Sequence, residues 1–434
     1  MTLRTHIIIF FIGTLALHAQ EVKPISKAEV LHTVSENNTA IKISIEEFKQ
    51  ARADYRQTNA VFLPNITASH TGIATTNPLM AFGSKLNQEI VTQADFNPAS
   101  LNDPSQIQNF ATKLEIQQPL INIDGIYQRK AARSKMEAMW LKIERQQDYM
   151  AFEVDNAYMQ LQLAYKAVDV LEQALEAAKA NKDLADNSFK QGYLQHADVL
   201  NVEVRLIEVK NQLQIAKSNV QNASNYLSFL MNDDSFVTYR PTDHLNIDTS
   251  LTESKTISEN RSDIKAMQLA TDAYKAMHKA DNMAFLPRLN AFGSYEMYDH
   301  TIFQANANGY LFGAKLSWDL FQGSKRLGKA QKSKAEFEKS KLEYNQYLSQ
   351  SKLEFNKTKR MLFDAENKLT LSELALKQSE EALRIRTNRF KEGLEKTSDL
   401  LMAETQYAQK QLEYYQTIFE YNYTQAYLKF LTKE

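Results

Sequence analysis

The sequence has no cysteine and almost no net charge. Cysteine is absent from all 434 residues, which excludes disulfide bonds, thiolate metal sites, cysteine nucleophiles and lipidation at an N-terminal cysteine. The formal net charge is −1, and acidic and basic residues are interspersed along the chain. Because a protein that binds nucleic acid needs a strong positive field, we expect no nucleic-acid partner.

Long apolar runs are confined to the first residues. Residues 1–19 combine a basic residue, Arg4, with an apolar run from Ile7 to Leu17 and a small residue at Ala19. This order is typical of a secretory signal peptide, so we predict export with cleavage after Ala19. No later segment approaches the length of about 20 apolar residues that a transmembrane helix needs. Any membrane insertion would therefore use β-strands that close into a barrel.

Glycine and proline are few, and they are grouped. The chain has 11 glycines and 8 prolines, most of them within residues 64–125 and 287–328. Residues 126–191 and 329–392 contain neither, and they are rich in the residue types that favour helices. We predict two helices of about 65 residues, each about 100 Å long. Helices of this length must bury their apolar faces against equally long neighbours, in a coiled coil or a helical barrel.

The two halves of the chain repeat one motif. A phenylalanine, a glycine and an aspartate occur with the same spacing at Phe189, Gly192 and Asp198 and again at Phe390, Gly393 and Asp399. The offset is 201 residues, the difference between positions 192 and 393. This duplication predicts two structural repeats, each with a long helical hairpin. The repeats would span residues 20–231 and 257–434 with a linker over 232–256, and the hairpin tips would lie near residues 190–197 and 391–398.

Alternating apolar side chains predict one β-hairpin in each repeat, over about residues 65–119 and 289–320. The clearest strand places four large apolar side chains on one face, where we predict contact with outer-membrane lipid: Tyr310, Phe312, Leu316 and Trp318. A loop over residues 77–108 would join the first pair of strands. Four strands cannot close a barrel, since the smallest barrels have eight, so three copies would supply twelve. The alternative is an exported periplasmic coiled coil, a structural or adaptor protein that does not span the membrane.

No pattern of catalytic residues is present. The histidines are scattered, and the sequence contains no HExxH pair, nucleophile elbow or glycine-rich phosphate loop. We therefore predict no enzymatic activity, no cofactor and no metal site. His196, near the first tip, could bring three imidazoles together in a trimer, but a solitary histidine in a turn is the simpler interpretation.

Besides the repeated tip motif, the chain contains the segments Ala60-Val61-Phe62-Leu63-Pro64, Gln118-Pro119-Leu120, Asn260-Arg261-Ser262-Asp263, Phe285-Leu286-Pro287 and Trp318-Asp319-Leu320 with Gly323. Taken in order, these motifs make the chain resemble the TolC-like outer membrane efflux proteins, the outer membrane factors. The resemblance implies a mainly α fold with a β-barrel portion, in which long α-helical hairpins form a trimeric α-barrel. Four β-strands per subunit would contribute to a shared twelve-stranded transmembrane β-barrel.

The resemblance also implies location and partners. A homotrimer in the outer membrane of a Gram-negative bacterium would extend into the periplasm. It would serve as the passive channel of a tripartite efflux pump or a type I secretion system. A periplasmic adaptor (membrane fusion) protein and an inner-membrane pump of RND, ABC or MFS type would act with it. The adaptor would contact the hairpin tips at Gly192, Tyr193, Gly393 and Leu394, although a tyrosine departs from the small or aliphatic residue usual there.

The periplasmic constriction of the family implies a role for two aspartates. Asp399 matches the first aspartate of that constriction, and Asp198 is its counterpart in the first repeat. The position of a second family aspartate holds Met402. For both aspartates the alternative is capping of a helix. The residues that latch the tips shut in some members correspond to Phe390 and Glu395, which cannot form the same latch. Lys391, Arg389 or Lys396 would have to replace it.

Overall fold

The computed structural model describes residues 22–235, 237–249 and 256–434. The predicted signal peptide over residues 1–19 lies outside these ranges, as does part of the predicted linker. The chain divides into two compact units. Unit 1 comprises the described residues of Met1–Ile43, Glu144–Arg261 and Gln350–Glu434, and unit 2 comprises Ser44–Ile143 and Ser262–Ser349. Each unit draws on both predicted repeats, so the division into repeats stays a prediction.

Helices make up most of the described residues. Their bounds are α1 Lys27–Asn37, α2 Thr39–Gln57, α3 Pro78–Asn87, α4 Pro98–Asn102, α5 Ile123–Lys190, α6 His196–Met231, α7 Ser262–Met283, α8 Lys325–Lys391 and α9 Thr397–Thr432. Across residues 22–235, 237–249 and 256–434, no helix combines the length and apolar character needed to cross a bilayer.

The two longest helices, α5 and α8, begin a few residues before the predicted starts at residues 126 and 329. In α5 the Asn122 side chain accepts a hydrogen bond from the Gly125 amide, as an N-terminal cap does. In α8 the Gly328 amide donates to the Ser324 carbonyl. Both glycines therefore lie inside the first helical turns, where a glycine reduces helix stability only slightly. The prediction had both of them in the preceding loops.

Unit 1 contains the C-terminal portions of both long helices, α5 and α8, and each packs against the helix that follows it in the chain. Leu171 of α5 packs with Leu213 and Ala216 of α6. In the second hairpin, Leu369 of α8 packs with Ile418 of α9. The duplicated motif thus corresponds to two helical hairpins, α5 with α6 and α8 with α9, as predicted.

A short parallel strand pair also belongs to unit 1. β1 (Val22–Ile25) pairs with β4 (Thr238–Pro241), a pairing that the sequence did not reveal. The buried Tyr239 anchors it, since its amide donates to Ser224 Oγ at 3.1 Å and its hydroxyl donates to Asp233 Oδ2 at 2.7 Å. Burial raises the pKa of the Tyr239 phenol.

Unit 2 is built around a four-stranded antiparallel sheet. Its strands are β2 (Asn65–Thr75), β3 (Ile107–Ile121), β5 (Arg288–Asp299) and β6 (Ala307–Ser317), in the order β2-β3-β5-β6. Both predicted hairpins are present and they pair through β3 and β5. The prediction that Trp318 belongs to the last strand is corrected, because β6 ends at Ser317. The Trp318 indole Nε1 donates to the Phe285 carbonyl at 2.9 Å, and contact of this side chain with lipid stays a prediction.

The segment between β2 and β3 is not a plain loop, which corrects the prediction for residues 77–108. It contains α3 and α4, each with an asparagine cap followed by proline, at Asn77 and Asn97. The Lys85 ammonium lies 2.6 Å from the Asp95 carboxylate. Hydrogen bonds from Lys85 and from Thr92 lower the pKa of Asp95 to about 2. These contacts give the segment a defined conformation.

Candidate functional site

The tip between α5 and α6 is a glycine-terminated helix end. Gly192 has a left-handed φ of 78°, a conformation that glycine adopts without strain. Its amide donates to the Phe189 carbonyl at 2.9 Å, and the Tyr193 amide donates to the Ser188 carbonyl at 2.9 Å. This pair of bonds defines a Schellman motif. The Tyr193 side chain projects from the turn with 80% of its surface exposed.

The tip between α8 and α9 repeats this backbone. Gly393 has a φ of 72°, and its amide donates to the Phe390 carbonyl at 3.0 Å. The Leu394 amide donates to the Arg389 carbonyl at 2.9 Å, and the Leu394 side chain is 67% exposed. All four predicted adaptor-contacting residues therefore lie in two matching turns. Their role in docking stays a prediction.

The side chains at the second tip form a compact ion-pair cluster. Glu395 is the centre, with only 11% of its side chain exposed. Its Oε1 lies 2.8 Å from Arg386 Nη1 and its Oε2 lies 2.8 Å from Arg389 Nε. Arg389 also donates to the Leu394 carbonyl at 3.3 Å. The carboxylate therefore fastens the turn to the last two turns of α8.

Asp399 borders this cluster. Its Oδ2 lies 3.9 Å from Arg386 Nη1, and its Oδ1 accepts from Ser398 Oγ at 3.5 Å. Asp198 is in a different environment, since its Oδ2 accepts a hydrogen bond from the Gln195 amide at 3.3 Å. Asp198 is therefore the N3 residue of a capping box whose N-cap residue is Gln195, whereas Asp399 is part of a charged cluster. A role of either aspartate in a constriction stays a prediction.

Sequence reasoning considered Arg389 and Glu395 separately and did not foresee their pairing, and it overlooked Arg386. The signal is weak, because Arg386 precedes Glu395 by nine residues and only the reversal of the chain at Gly393 brings them together. The first tip has no such cluster, since the positions matching Arg386, Arg389 and Glu395 hold Ala185, Ser188 and Leu194.

One further polar contact joins the two hairpins. The Asn181 side chain of α5 donates to the Glu404 carboxylate of α9. Burial raises the pKa of Glu404, while the Asn181 hydrogen bond and the Arg205 charge act in the opposite direction.

His196 forms the first residue of α6, and its ring lies 5.6 Å from the Phe189 ring. Among the residues that the structure describes, no three metal-binding side chains gather into a cluster that could hold an ion.

The sheet of unit 2 has one apolar and one charged face. The strand register aligns Tyr310 with Tyr295 and Leu114, so these side chains share a face. On it Tyr310 and Phe312 are 77% and 76% exposed, and Leu316 is also exposed. The opposite face carries Lys113, whose Nζ lies 3.1 Å from Glu115 and 3.2 Å from Glu296.

These features define a class of protein with long helical hairpins, glycine-capped tips and a strand sheet that is apolar on one side. The chain matches the model of the family described as outer membrane efflux protein over residues 30–233 and 254–431. It therefore belongs to the outer membrane efflux protein family. Its location is the outer membrane and its role is that of an efflux channel, in a family whose members are channels rather than enzymes.

Solved structures show the same fold at low sequence identity. A membrane protein from Pseudomonas aeruginosa superposes with a TM-score of 0.82 at 16% identity, covering 94% of this chain and 93% of that one. The CmeC outer membrane channel of Campylobacter jejuni gives 0.80 at 17% identity, covering 99% and 93%. The outer membrane protein VceC of Vibrio cholerae gives 0.77 at 17% identity, covering 94% and 96%. No curated protein sequence matches significantly. The similarity confirms the predicted fold class.

Proposed function

We propose that three copies of this chain assemble into one closed channel in the outer membrane, through which substrates leave passively. One observation carries the proposal: within the described residues, β2 and β6 each pair with a single neighbouring strand. Unpaired strand edges cannot face lipid, because their amides and carbonyls would lack hydrogen-bond partners. Pairing β2 of one copy with β6 of the next removes both edges.

The helices of unit 1 support assembly independently. The α6 surface exposes Val204, Ile207 and Ile215. The α8 surface exposes large apolar side chains at Leu353 and Leu371. Apolar residues repeated along one face of a long helix are usually buried against another helix. Contact between neighbouring copies along these faces would bury them.

The tips supply the proposed docking surface. Tyr193 and Leu394 project from the two Schellman turns with exposed side chains, and an adaptor hairpin could cover both of them. An inner-membrane pump would then deliver its substrate through the adaptor. Relatives whose structures are titled as outer membrane channels support this role. We further propose that Asp399 lines the narrowest part of the channel, where three copies would present a ring of carboxylates.

The absence of cysteine allows a direct test of the strand edges. Cysteines placed at Ala68 on β2 and, in separate variants, at Tyr310, Phe312 or Ala314 on β6 would scan the pairing between copies. Because β3 and β5 separate β2 from β6 within one copy, a disulfide between them can form only between copies. We expect covalent dimers and trimers on a denaturing gel without reductant for at least one pair.

The matched control pairs Ala291→Cys with Ala314→Cys, which face each other within one copy. This variant should crosslink internally and migrate as a monomer. If every β2–β6 cysteine pair gave only monomers on the gel, closure of the barrel through these strand edges would be refuted.

Planar-bilayer recording tests the channel itself. Purified protein should conduct, and its mass by light scattering, corrected for detergent, should be that of three chains. Asp399→Ala should change the single-channel conductance, whereas Glu381→Gln, on the exposed part of α8, should not. A conductance that is unchanged by Asp399→Ala would refute the constriction role of this residue.

A further inference from the structure

We infer that Arg386 sets the ion selectivity of the entrance by partly neutralising Asp399, and that Glu395 holds it in position. The inference rests on the proposed function, in which Asp399 lines the constriction. It assigns a role to a residue that lies outside the duplicated tip motif. In this arrangement Glu395 is the positioning residue and Arg386 is the residue that determines selectivity.

The geometry gives Arg386 two acidic neighbours. One nitrogen, Nη1, lies 2.8 Å from Glu395 and 3.9 Å from Asp399. The shorter contact is a hydrogen-bonded ion pair with a carboxylate that is mostly buried. Charge-assisted hydrogen bonds of this kind are stronger than neutral ones. Glu395 therefore fixes the guanidinium group, and the longer contact to Asp399 follows from that fixed position.

The cluster changes the charge that the entrance presents. Arg386 and Arg389 offset the charges of Glu395 and Asp399, so the four side chains sum to zero within one copy. A ring of three copies would then attract cations less strongly than three isolated aspartates, because the positive charge lies within a Debye length of each carboxylate. Loss of Arg386 leaves one uncompensated negative charge per copy.

The first repeat shows that this arrangement is particular to the second tip. Its backbone turn is the same, with Gly192 in the left-handed conformation. However, Ala185 stands where Arg386 would be and Leu194 stands where Glu395 would be. The turn therefore does not require the ion pairs for its geometry. Their presence at the second tip points to a role in charge and not in folding of the turn.

The reversal potential of single channels in a gradient of potassium chloride measures this role. Arg386→Gln should raise the ratio of potassium to chloride permeability about threefold, as expected for one charge per copy acting at short range in water. Arg386→Lys keeps the charge and should retain the wild-type ratio. Arg384→Gln makes the same charge change two residues away, where Arg384 pairs with Glu381 on the exposed helix surface. It should leave the ratio unchanged.

Repeating the Arg386→Gln substitution in an Asp399→Asn protein distinguishes an effect that Arg386 exerts through Asp399 from a general effect of charge. In that background Arg386→Gln should alter the ratio by less than it does in the wild type. Equal ratios for wild type and Arg386→Gln would overturn the inference, as would an equal shift in Arg384→Gln. If wild-type protein does not conduct, the proposed function itself fails. If it conducts and Asp399→Asn shifts the ratio while Arg386→Gln does not, only the inference on Arg386 fails.

Discussion

Replacement of Gly393 by alanine tests the tip geometry most directly. The residue has a φ of 72°, and a Cβ built there meets no atom within 4 Å. The substitution therefore creates no clash, and its cost comes from the backbone alone. A left-handed conformation costs a residue with a Cβ about 1–2 kcal/mol. Three copies would each bear this cost.

Hydrogen exchange at the tip measures this local cost. The Leu394 amide is protected by its bond to the Arg389 carbonyl, which requires the left-handed Gly393. A cost of about 1.4 kcal/mol corresponds to a tenfold change in an equilibrium, so Gly393→Ala should accelerate exchange in a peptide covering this tip about tenfold. The effect should be confined to that peptide, because exchange reports local opening.

Two matched variants serve as controls for Gly393→Ala. Gly393→Asn should accelerate exchange less, because asparagine tolerates this conformation, as Asn232 does at the end of α6 with a φ of 56°. Gly83→Ala lies inside α3, also with open space around the position and without a left-handed φ. There alanine should stabilise the helix by about 0.5–1 kcal/mol and slow exchange. If Gly393→Ala exchanged at the wild-type rate, or if asparagine were worse than alanine, the argument from the left-handed turn would be wrong.

Two further substitutions probe unit 1. Burial raises the pKa of Glu404, so ionisation of this carboxyl group destabilises the folded protein. The destabilisation is present above the raised pKa and disappears as the pH falls through it. Glu404→Gln, which can still accept from Asn181, should therefore raise the unfolding temperature at pH 7, and the difference from wild type should shrink toward pH 4; a constant difference would contradict this reasoning. Leu227 is completely buried, so Leu227→Ala should destabilise the protein by about 2–5 kcal/mol in denaturant unfolding, and a loss below 1 kcal/mol would show that the site can collapse.

The sequence predicts the regular elements well because they follow simple periodicities. Long segments without glycine or proline became α5 and α8, with errors of a few residues at their starts, because the helices begin at Ile123 and Lys325. Alternation of apolar residues located both hairpins. The glycines at the tips were recognisable because the same motif occurs twice.

Other features could not be predicted because they depend on distant or short segments. β1 and β4 are four residues each and lie more than 200 residues apart, so neither carries a measurable pattern. In contrast, α3 and α4 had a local signal that was overlooked, the asparagine and proline pairs at Asn77 and Asn97. The four asparagines of residues 77–108 favoured a loop, whereas two of them in fact cap helices.

Comparison of the two tips distinguishes the residues that determine the backbone of the turn from the residues that a functional site would use. A helix end followed by glycine determines the backbone, so Gly192 and Gly393 adopt the same conformation with the same two hydrogen bonds. The side chains around that backbone are free to differ, because both hydrogen bonds of the Schellman motif join backbone atoms only. At the first tip they include an exposed tyrosine, and at the second they form the cluster around Glu395. Duplication thus supplied one scaffold twice, and the charge beside Asp399 arises only in the second copy of it. For this reason the function of each tip has to be tested separately, even though the backbone of one predicts that of the other.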